Sequence, residues 1–236
     1  MEIRRADAMP ETSPLEAGRP PKSVLPGLWL FAPSRESAGG SAWLLQTEAG
    51  LALIDTPSLT EANVAFLRQH TPAWQLLTSR QGHGRCRRWQ ETFGWRVLVQ
   101  EPEAYLLPGV ERLETFGVEA EPLVGVRLRW TPGPSPGACV VWAEAADVLF
   151  CGRLLVPVAP QRLAPLRTAL TFHWPRQLQS LASLRLWLPP GAPQWLASGA
   201  GLGALRGEAL APGGAEQLQG FDLEALTTVA PLARPD

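Results

Sequence analysis

Three side chains that could take part in hydrolysis lie at or just after two predicted strands. Asp55 is near the end of the predicted strand 51–56, and Ser79 and His83 follow the apolar run 74–78. A serine activated by a histidine, with a carboxylate that orients the imidazole, is a nucleophilic arrangement. The serine hydrolase signature G-x-S-x-G is absent, so this triad is a hypothesis. Alternatively, His83 backed by Asp55 could act as a general base on water.

Arginines accompany these residues. Arg80, Arg85, Arg87 and Arg88 surround the segment that contains His83. They could form an electropositive mouth for an anionic ligand, helped by the amide groups at the start of the predicted helix 85–93. The alternative is a solvated helix face, as most runs of charge are.

The cysteines indicate structural thiols in a reducing compartment. Cys86, Cys139 and Cys151 are odd in number, widely spaced and without a C-x-x-C pair. Cys86, between two arginines, could alternatively have a lowered pKa. Because no secretory signal and no membrane-spanning run is visible, we expect a cytoplasmic protein without a membrane partner.

Composition narrows the function classes. With 236 residues and 45% hydrophobic residues the chain can bury a substantial core, which excludes global disorder. The formal net charge of −1 provides no general attraction to nucleic acid. No stripe of interleaved basic and aromatic residues is present, so the sequence argues against nucleic-acid binding.

Alternating strands and helices must position these residues. The sequence predicts a tail over 1–23 and one α/β domain over 24–236. Predicted helices cover 58–69, 85–93, a segment that opens at Trp174 and Pro175, and about 218–227. Predicted strands cover 27–32, 41–47, 51–56, 74–78, 95–99, 122–130, 138–143, 148–151 and 194–197.

Three segments occur in an order and spacing that resembles the metallo-β-lactamase superfamily. They are 53–57 (LIDTP), 131–137 (TPGPSPG) and 148–153 (VLFCGR). The resemblance covers roughly residues 24–200. It implies a four-layer αβ/βα sandwich, with a site for one or two metal ions at the strand ends.

The same resemblance shows which residues stand at the family's metal-ligand positions. Asp55 matches the aspartate of the first motif, and Ala192 is an alternative register for the last position. The former metal site, predicted to be a ligand-binding pocket, is formed by Asp55, Ser79, Gln81, His83, Pro134, Arg153 and Ala200, with Gly84 at a further ligand position.

These residue types predict that the chain has no metal cofactor. Zinc, the metal expected of the family, needs imidazole, thiolate or carboxylate ligands in a near-tetrahedral set. Of the seven pocket residues only Asp55 and His83 supply such groups. Arg153, at the family's bridging aspartate, is a permanent cation that repels a metal ion. We expect Arg153 to pair with Asp55 or with another carboxylate.

The sequence therefore predicts a degenerate metallo-β-lactamase-fold protein without metal-dependent hydrolysis, acting as a binding or scaffold protein. Its partner would be a small anionic ligand or a protein. The alternative is a hydrolase of the same fold that acts on an ester, thioester or phosphoester with a non-standard site, for which His83, Asp55 and Ser79 are the catalytic candidates.

Overall fold

Two large β-sheets contain most of the strands of this chain, which the computed structural model describes over residues 15–232. The first sheet has seven strands in sequential order. They are β1 (Lys22–Leu25), β2 (Leu28–Leu30), β3 (Trp43–Thr47), β4 (Gly50–Ile54), β5 (Trp74–Leu76), β6 (Arg96–Gln100) and β7 (Leu113–Phe116).

The second sheet has six strands in the order β15-β14-β11-β10-β9-β8. A separate hairpin, β12 and β13, follows β11 in sequence. These strands are β8 (Glu119–Leu123), β9 (Val126–Trp130), β10 (Cys139–Ala143), β11 (Val148–Phe150), β12 (Val156–Ala159), β13 (Arg162–Ala164), β14 (Trp195–Ala197) and β15 (Ala211–Pro212).

Five α-helices and four short 3-10 turns complete the described structure. The first two α-helices connect β4 to β5 and β5 to β6, and the last three come in the second half of the chain. They are α1 (Glu61–Gln69), α2 (Cys86–Phe93), α3 (Trp174–Trp187), α4 (Gly214–Gln219) and α5 (Leu223–Thr227).

Three apolar clusters stack these elements into four layers. One cluster joins the sheets to each other, for example Trp43 with Phe150. A second joins the outer face of the first sheet to α1 and α2, and a third joins the second sheet to α3 through Leu181 and Leu184. The predicted four-layer αβ/βα sandwich is confirmed.

The alternation of side chains along each strand explains why both faces of the sheets are covered. Successive side chains of a strand point to opposite faces. In β3, Trp43 and Leu45 belong to the cluster between the sheets, whereas Leu44 belongs to the cluster with the helices. Both faces of this strand are therefore apolar, and each packs against a different layer.

The predicted element boundaries differ from the structure at two places in the second half. The predicted strand 122–130 is the hairpin β8–β9, because Gly125, with φ 75°, allows a turn within it. The predicted helix 218–227 is divided into α4 and α5, and α5 starts at a new N-cap, Asp222, whose Oδ1 accepts a hydrogen bond from Ala225 N.

The predicted N-terminal tail has structure in its described part. Residues 1–14 of it lie outside the described residues. The carbonyls of Glu16 and Ala17 accept hydrogen bonds from the first amides of α1, Glu61 N and Ala62 N, and β1 begins at Lys22. Ordered chain therefore starts earlier than the predicted Val24. Over residues 15–232, no helix is long and apolar enough to cross a membrane.

Candidate functional site

The segments singled out by the sequence meet at one edge of the sandwich, where strands of both sheets end. Asp55 follows β4, and the segment 77–84 follows the parallel strand β5. On the second sheet, the turn 131–137 joins β9 to β10, while Arg153 and Ala200 follow the parallel strands β11 and β14. Parallel neighbours place their carboxyl ends on the same side, which brings these loops together.

Asp55 is buried and hydrogen-bonded to Thr78, which follows the neighbouring strand β5. Its Oδ1 accepts from Thr78 N at 2.8 Å, and its Oδ2 accepts from Thr78 Oγ1 at 2.7 Å. Burial raises the pKa of Asp55 from 3.8 to about 6, although the bonds from Thr78 and the charge of Arg153 act in the opposite direction. The carboxyl group therefore has a structural partner and is only 3% exposed.

Main chain occupies the space next to this carboxyl group. A Cβ added to Gly82 would overlap Asp55 Oδ1, and one added to Gly199 would lie 2.9 Å from Oδ2. The amide of Thr56 also donates to Gly82 O at 3.0 Å, which holds the loop after β5 against the loop after β4. Because residues 82 and 199 are glycines, the loops after β5 and β14 can both pack against Asp55, at the place where a metal ion would contact it.

His83 is directed toward a carboxylate that the sequence analysis did not identify. Its Nε2 lies 3.6 Å from Glu103 Oε2, and both side chains are buried. Glu103 Oε1 accepts a hydrogen bond from Gly137 N in the 131–137 turn at 2.9 Å. Burial lowers the pKa of His83 to about 4, so its imidazole is neutral at pH 7.

The hypothetical triad of Ser79, His83 and Asp55 is wrong. No hydrogen bond of the described residues joins Ser79 to His83 or His83 to Asp55. The reason is that Asp55 is satisfied by Thr78, while the imidazole lies beside Glu103. His83 is also only 7% exposed.

The predicted ion pair of Arg153 with a carboxylate is also wrong. Its Nη2 donates to Ser37 O at 2.9 Å and to Ala38 O at 3.2 Å, and no carboxylate of the described residues lies within 4.0 Å. The loop 34–40 supplies these carbonyls from over a hundred positions earlier in the chain. The charge of Arg153 lowers the pKa of Asp55, although the two side chains are not in contact.

A cavity of about 350 Å³ opens beside Arg153. Four of the seven predicted pocket residues line it, whereas Asp55, Ser79 and His83 are buried outside its lining. The remaining walls come from the start of β12, the segment 166–171, α3 and the described C-terminal end. The lining consists of Ala38, Gln81, Pro134, Arg153, Val156, Leu166, Thr168, Ala169, Leu170, Thr171, Gln177, Ala200 and Leu232.

Three of the four arginines near His83 form ion pairs at the surface. Arg85 Nε lies 2.6 Å from Glu36, and Arg87 and Arg88 both contact Glu91. Arg80 is exposed, and none of the four lines the cavity. The solvated helix face is therefore the interpretation that fits, and the predicted electropositive mouth is wrong.

The cysteines are structural. All three are free and buried. Burial raises the pKa of the Cys86 thiol to about 12, and it raises those of Cys139 and Cys151 as well. The alternative of a reactive Cys86 is wrong, because desolvation outweighs the neighbouring arginines, whose charged groups lie in solvent.

The donor set of this site does not fit zinc. Over residues 15–232, no three His, Cys, Asp or Glu side chains are grouped so that they could hold a metal ion. Asp55 is bonded to Thr78, and His83 has Glu103 as its one neighbouring carboxylate within 4.0 Å among the described residues. A structural or catalytic zinc site needs three or four such ligands.

Two parts of the site were missed by sequence reasoning. Glu103 lies in a short 3-10 turn over Glu101–Leu106, and nothing in its spacing links it to His83. The segment 166–171 contributes five of the cavity-lining residues without any sequence signature. No sequence signal could have found Glu103, because its burial depends on contacts with Gly137 and His83 from distant parts of the chain.

Comparisons with known proteins agree on one family. A family model described as "Metallo-beta-lactamase superfamily" matches residues 61–193, more than half of the chain. No curated protein matches the chain significantly.

Solved structures with the same architecture are distant in sequence. BLEG-1 B3 metallo-beta-lactamase has 22% identity and a TM-score of 0.60, covering 80% of this chain and 95% of that chain. VMB-1 has 14% identity and a TM-score of 0.64, covering 91% and 97%. TTHA1623 in a di-iron-bound form has 21% identity and a TM-score of 0.57, covering 75% and 92%. At such identities the likeness shows the fold alone.

Proposed function

Since this chain belongs to the metallo-β-lactamase superfamily, we propose that it is a member without metal-dependent hydrolysis that acts as a binding protein. One observation carries the proposal: no His, Cys, Asp or Glu is among the described residues that line the cavity at the strand ends. The one charged side chain in that lining is Arg153, a cation that neither coordinates a metal nor accepts a proton from water.

The chemistry of hydrolysis supports this proposal. Metallohydrolases make their nucleophile by lowering the pKa of a bound water to about 7. Without a metal, a general base within hydrogen-bond reach of the water must take the proton. Asp55, His83 and Glu103, the buried groups at these strand ends that could take a proton, all lie outside the cavity lining.

One observation favours the alternative, a hydrolase with a non-standard site. His83 is neutral at pH 7 and its Nε2 lies 3.6 Å from Glu103 Oε2, so a small movement would let the buried carboxylate orient the imidazole as a general base. For this alternative to hold, the loop 79–84 would have to open so that the imidazole meets substrate. In the structure, Thr56 N and Gly82 O hold that loop closed.

An activity panel tests the proposal. The purified chain is assayed against a β-lactam, chromogenic carboxylic esters, a thioester and a phosphodiester, each with added zinc and with EDTA. We expect no turnover above buffer, while a metallo-β-lactamase assayed in parallel hydrolyses the β-lactam. Turnover abolished by EDTA would contradict the proposal, and metal-independent turnover abolished by His83→Gln would establish the alternative.

We also propose a cytoplasmic location, supported by three free cysteines that persist most readily in a reducing compartment. Ion pairing of the arginines near α2 supports the proposal that nucleic acid is not the partner.

A further inference from the structure

The cavity at the strand ends combines one cation with aliphatic walls. Arg153 is the one charged residue among the described residues that line it. Aliphatic side chains form most of the rest, and no aromatic ring is among them. They are Val156, Leu166, Leu170 and Leu232, with Ala38, Ala169 and Ala200.

Among residues 15–232 the charge of Arg153 has no counter-ion in contact. Its hydrogen bonds there all come from Nη2 and go to two carbonyls, so Nε and Nη1 have no acceptor among those residues. A half-buried guanidinium is strongly stabilised by a carboxylate, to which it can donate two parallel hydrogen bonds. A ligand anion would supply that partner.

The two glutamines of the lining do not offer their amide oxygens to the cavity. Gln177 is 1% exposed, its Nε2 donates to Leu154 O at 3.0 Å, and its Oε1 is closed off from solvent. Gln81 Oε1 is closed off from solvent as well. A ligand in the cavity reaches neither oxygen in this arrangement, so its recognition rests on Arg153 and the aliphatic walls.

We propose that this cavity binds an aliphatic monocarboxylate. The carboxylate meets Arg153, and the chain packs on the leucines and Val156. The volume of about 350 Å³ is typical of small-molecule pockets. This inference rests on the proposed function, since it assigns a ligand to a site that lacks a catalytic metal.

The lining argues against larger or more highly charged anions. A nucleotide or a phosphorylated metabolite carries two or more negative charges, and such groups are commonly held by several cations or backbone amides. The cavity offers one guanidinium and no aromatic platform for a base. A single carboxylate on an aliphatic chain therefore matches both the charge and the walls.

Calorimetric titration of the full chain with two probes tests the assignment. The probes are octanoate and octan-1-ol, which share an aliphatic chain and differ in the group that Arg153 would recognise. We expect octanol to bind at least tenfold more weakly than octanoate. Equal affinity for octanol and octanoate, or no binding of octanoate, would overturn the assignment.

Two variants locate the site. Arg153→Gln removes the charge but can keep an N–H for the carbonyls of the 34–40 loop, and it should reduce binding of octanoate at least tenfold. If that variant does not fold, Leu170→Glu serves instead, because Leu170 is 55% exposed at the rim and a carboxylate there repels the ligand. Leu186→Glu, at a residue 89% exposed and outside the lining, is the matched control and should bind normally. Unchanged octanoate binding in Leu170→Glu would overturn the assignment.

Repeating the titration in EDTA separates this inference from the proposed function. Binding that persists in EDTA supports both. Binding that is lost in EDTA would mean that a metal holds the carboxylate, which contradicts both. Absence of binding in a chain that also lacks hydrolytic activity would overturn the ligand class alone.

Discussion

Replacing Gly82 with alanine is expected to destabilise the protein by about 3 kcal/mol, near the upper end for overpacking of a rigid interior. The added Cβ would overlap Asp55 Oδ1, and that carboxyl group cannot move aside because Thr78 holds both of its oxygens. Chemical denaturation measures the change in the free energy of unfolding. Gly203→Ala is the matched control, since a Cβ there meets nothing within 4 Å.

A double-mutant cycle shows whether the clash is with the carboxyl group. In the background Asp55→Ala, where the carboxyl group is absent, the cost of Gly82→Ala should fall by at least 1 kcal/mol, as expected for residues in contact. An equal cost in both backgrounds would mean that the loop 79–84 does not pack on Asp55 as described.

The second large effect is a pH dependence with opposite signs at two residues. Burial raises the pKa of Asp55 from 3.8 to about 6, so between pH 4 and 6 the folded state retains a proton that the unfolded state has lost. Stability contributed by Asp55 is therefore present below pH 4 and is lost as the pH rises toward 6. At about 1.4 kcal/mol per pKa unit, the loss is about 3 kcal/mol.

His83 has the opposite dependence. Burial lowers its pKa from 6.5 to about 4, so between these values the unfolded state holds a proton that the folded state lacks. Its contribution is present above pH 6.5 and is lost as the pH falls toward 4, again by about 3 kcal/mol. In the wild type the two contributions nearly cancel between pH 4 and 6.

Single variants should expose each contribution. From pH 4 to pH 6, the free energy of unfolding of Asp55→Asn should rise by about 2 kcal/mol relative to wild type, and that of His83→Gln should fall by a similar amount, since part of each change lies outside this interval. Urea denaturation at several pH values measures both slopes. If His83→Gln instead rises relative to wild type, His83 is a charged partner of Glu103, and the neutral imidazole described above is wrong.

Much of the fold could be predicted because its signals are local. Runs rich in apolar and β-forming residues identified most strands, and Trp174 with Pro175 marked the start of α3, where Leu181 and Leu184 are buried as expected. The three segments at 53–57, 131–137 and 148–153 located the strand ends where the site lies. A boundary that depends on one turn was missed: the segment 122–130 was predicted as a single strand, and the turn at Gly125 divides it between β8 and β9.

The contacts within the site could not be predicted because each joins distant parts of the chain. Arg153 was expected to pair with a carboxylate, and it donates instead to carbonyls of Ser37 and Ala38. His83 lies beside Glu103 because the 131–137 turn holds that carboxylate through Gly137. Sequence positions showed which ligands the family would need, but they could not show which side chains face the cavity.

The most direct test of the account is the amount of zinc that the purified chain retains. The protein is incubated with excess zinc, dialysed against metal-free buffer at neutral pH and measured by elemental analysis beside a metallo-β-lactamase treated in the same way. The donor set described here predicts far less than one zinc per chain, with the lactamase retaining its metal. One or two zinc ions retained per chain would contradict it, because they would show that Asp55, His83 and their neighbours rearrange into a metal site.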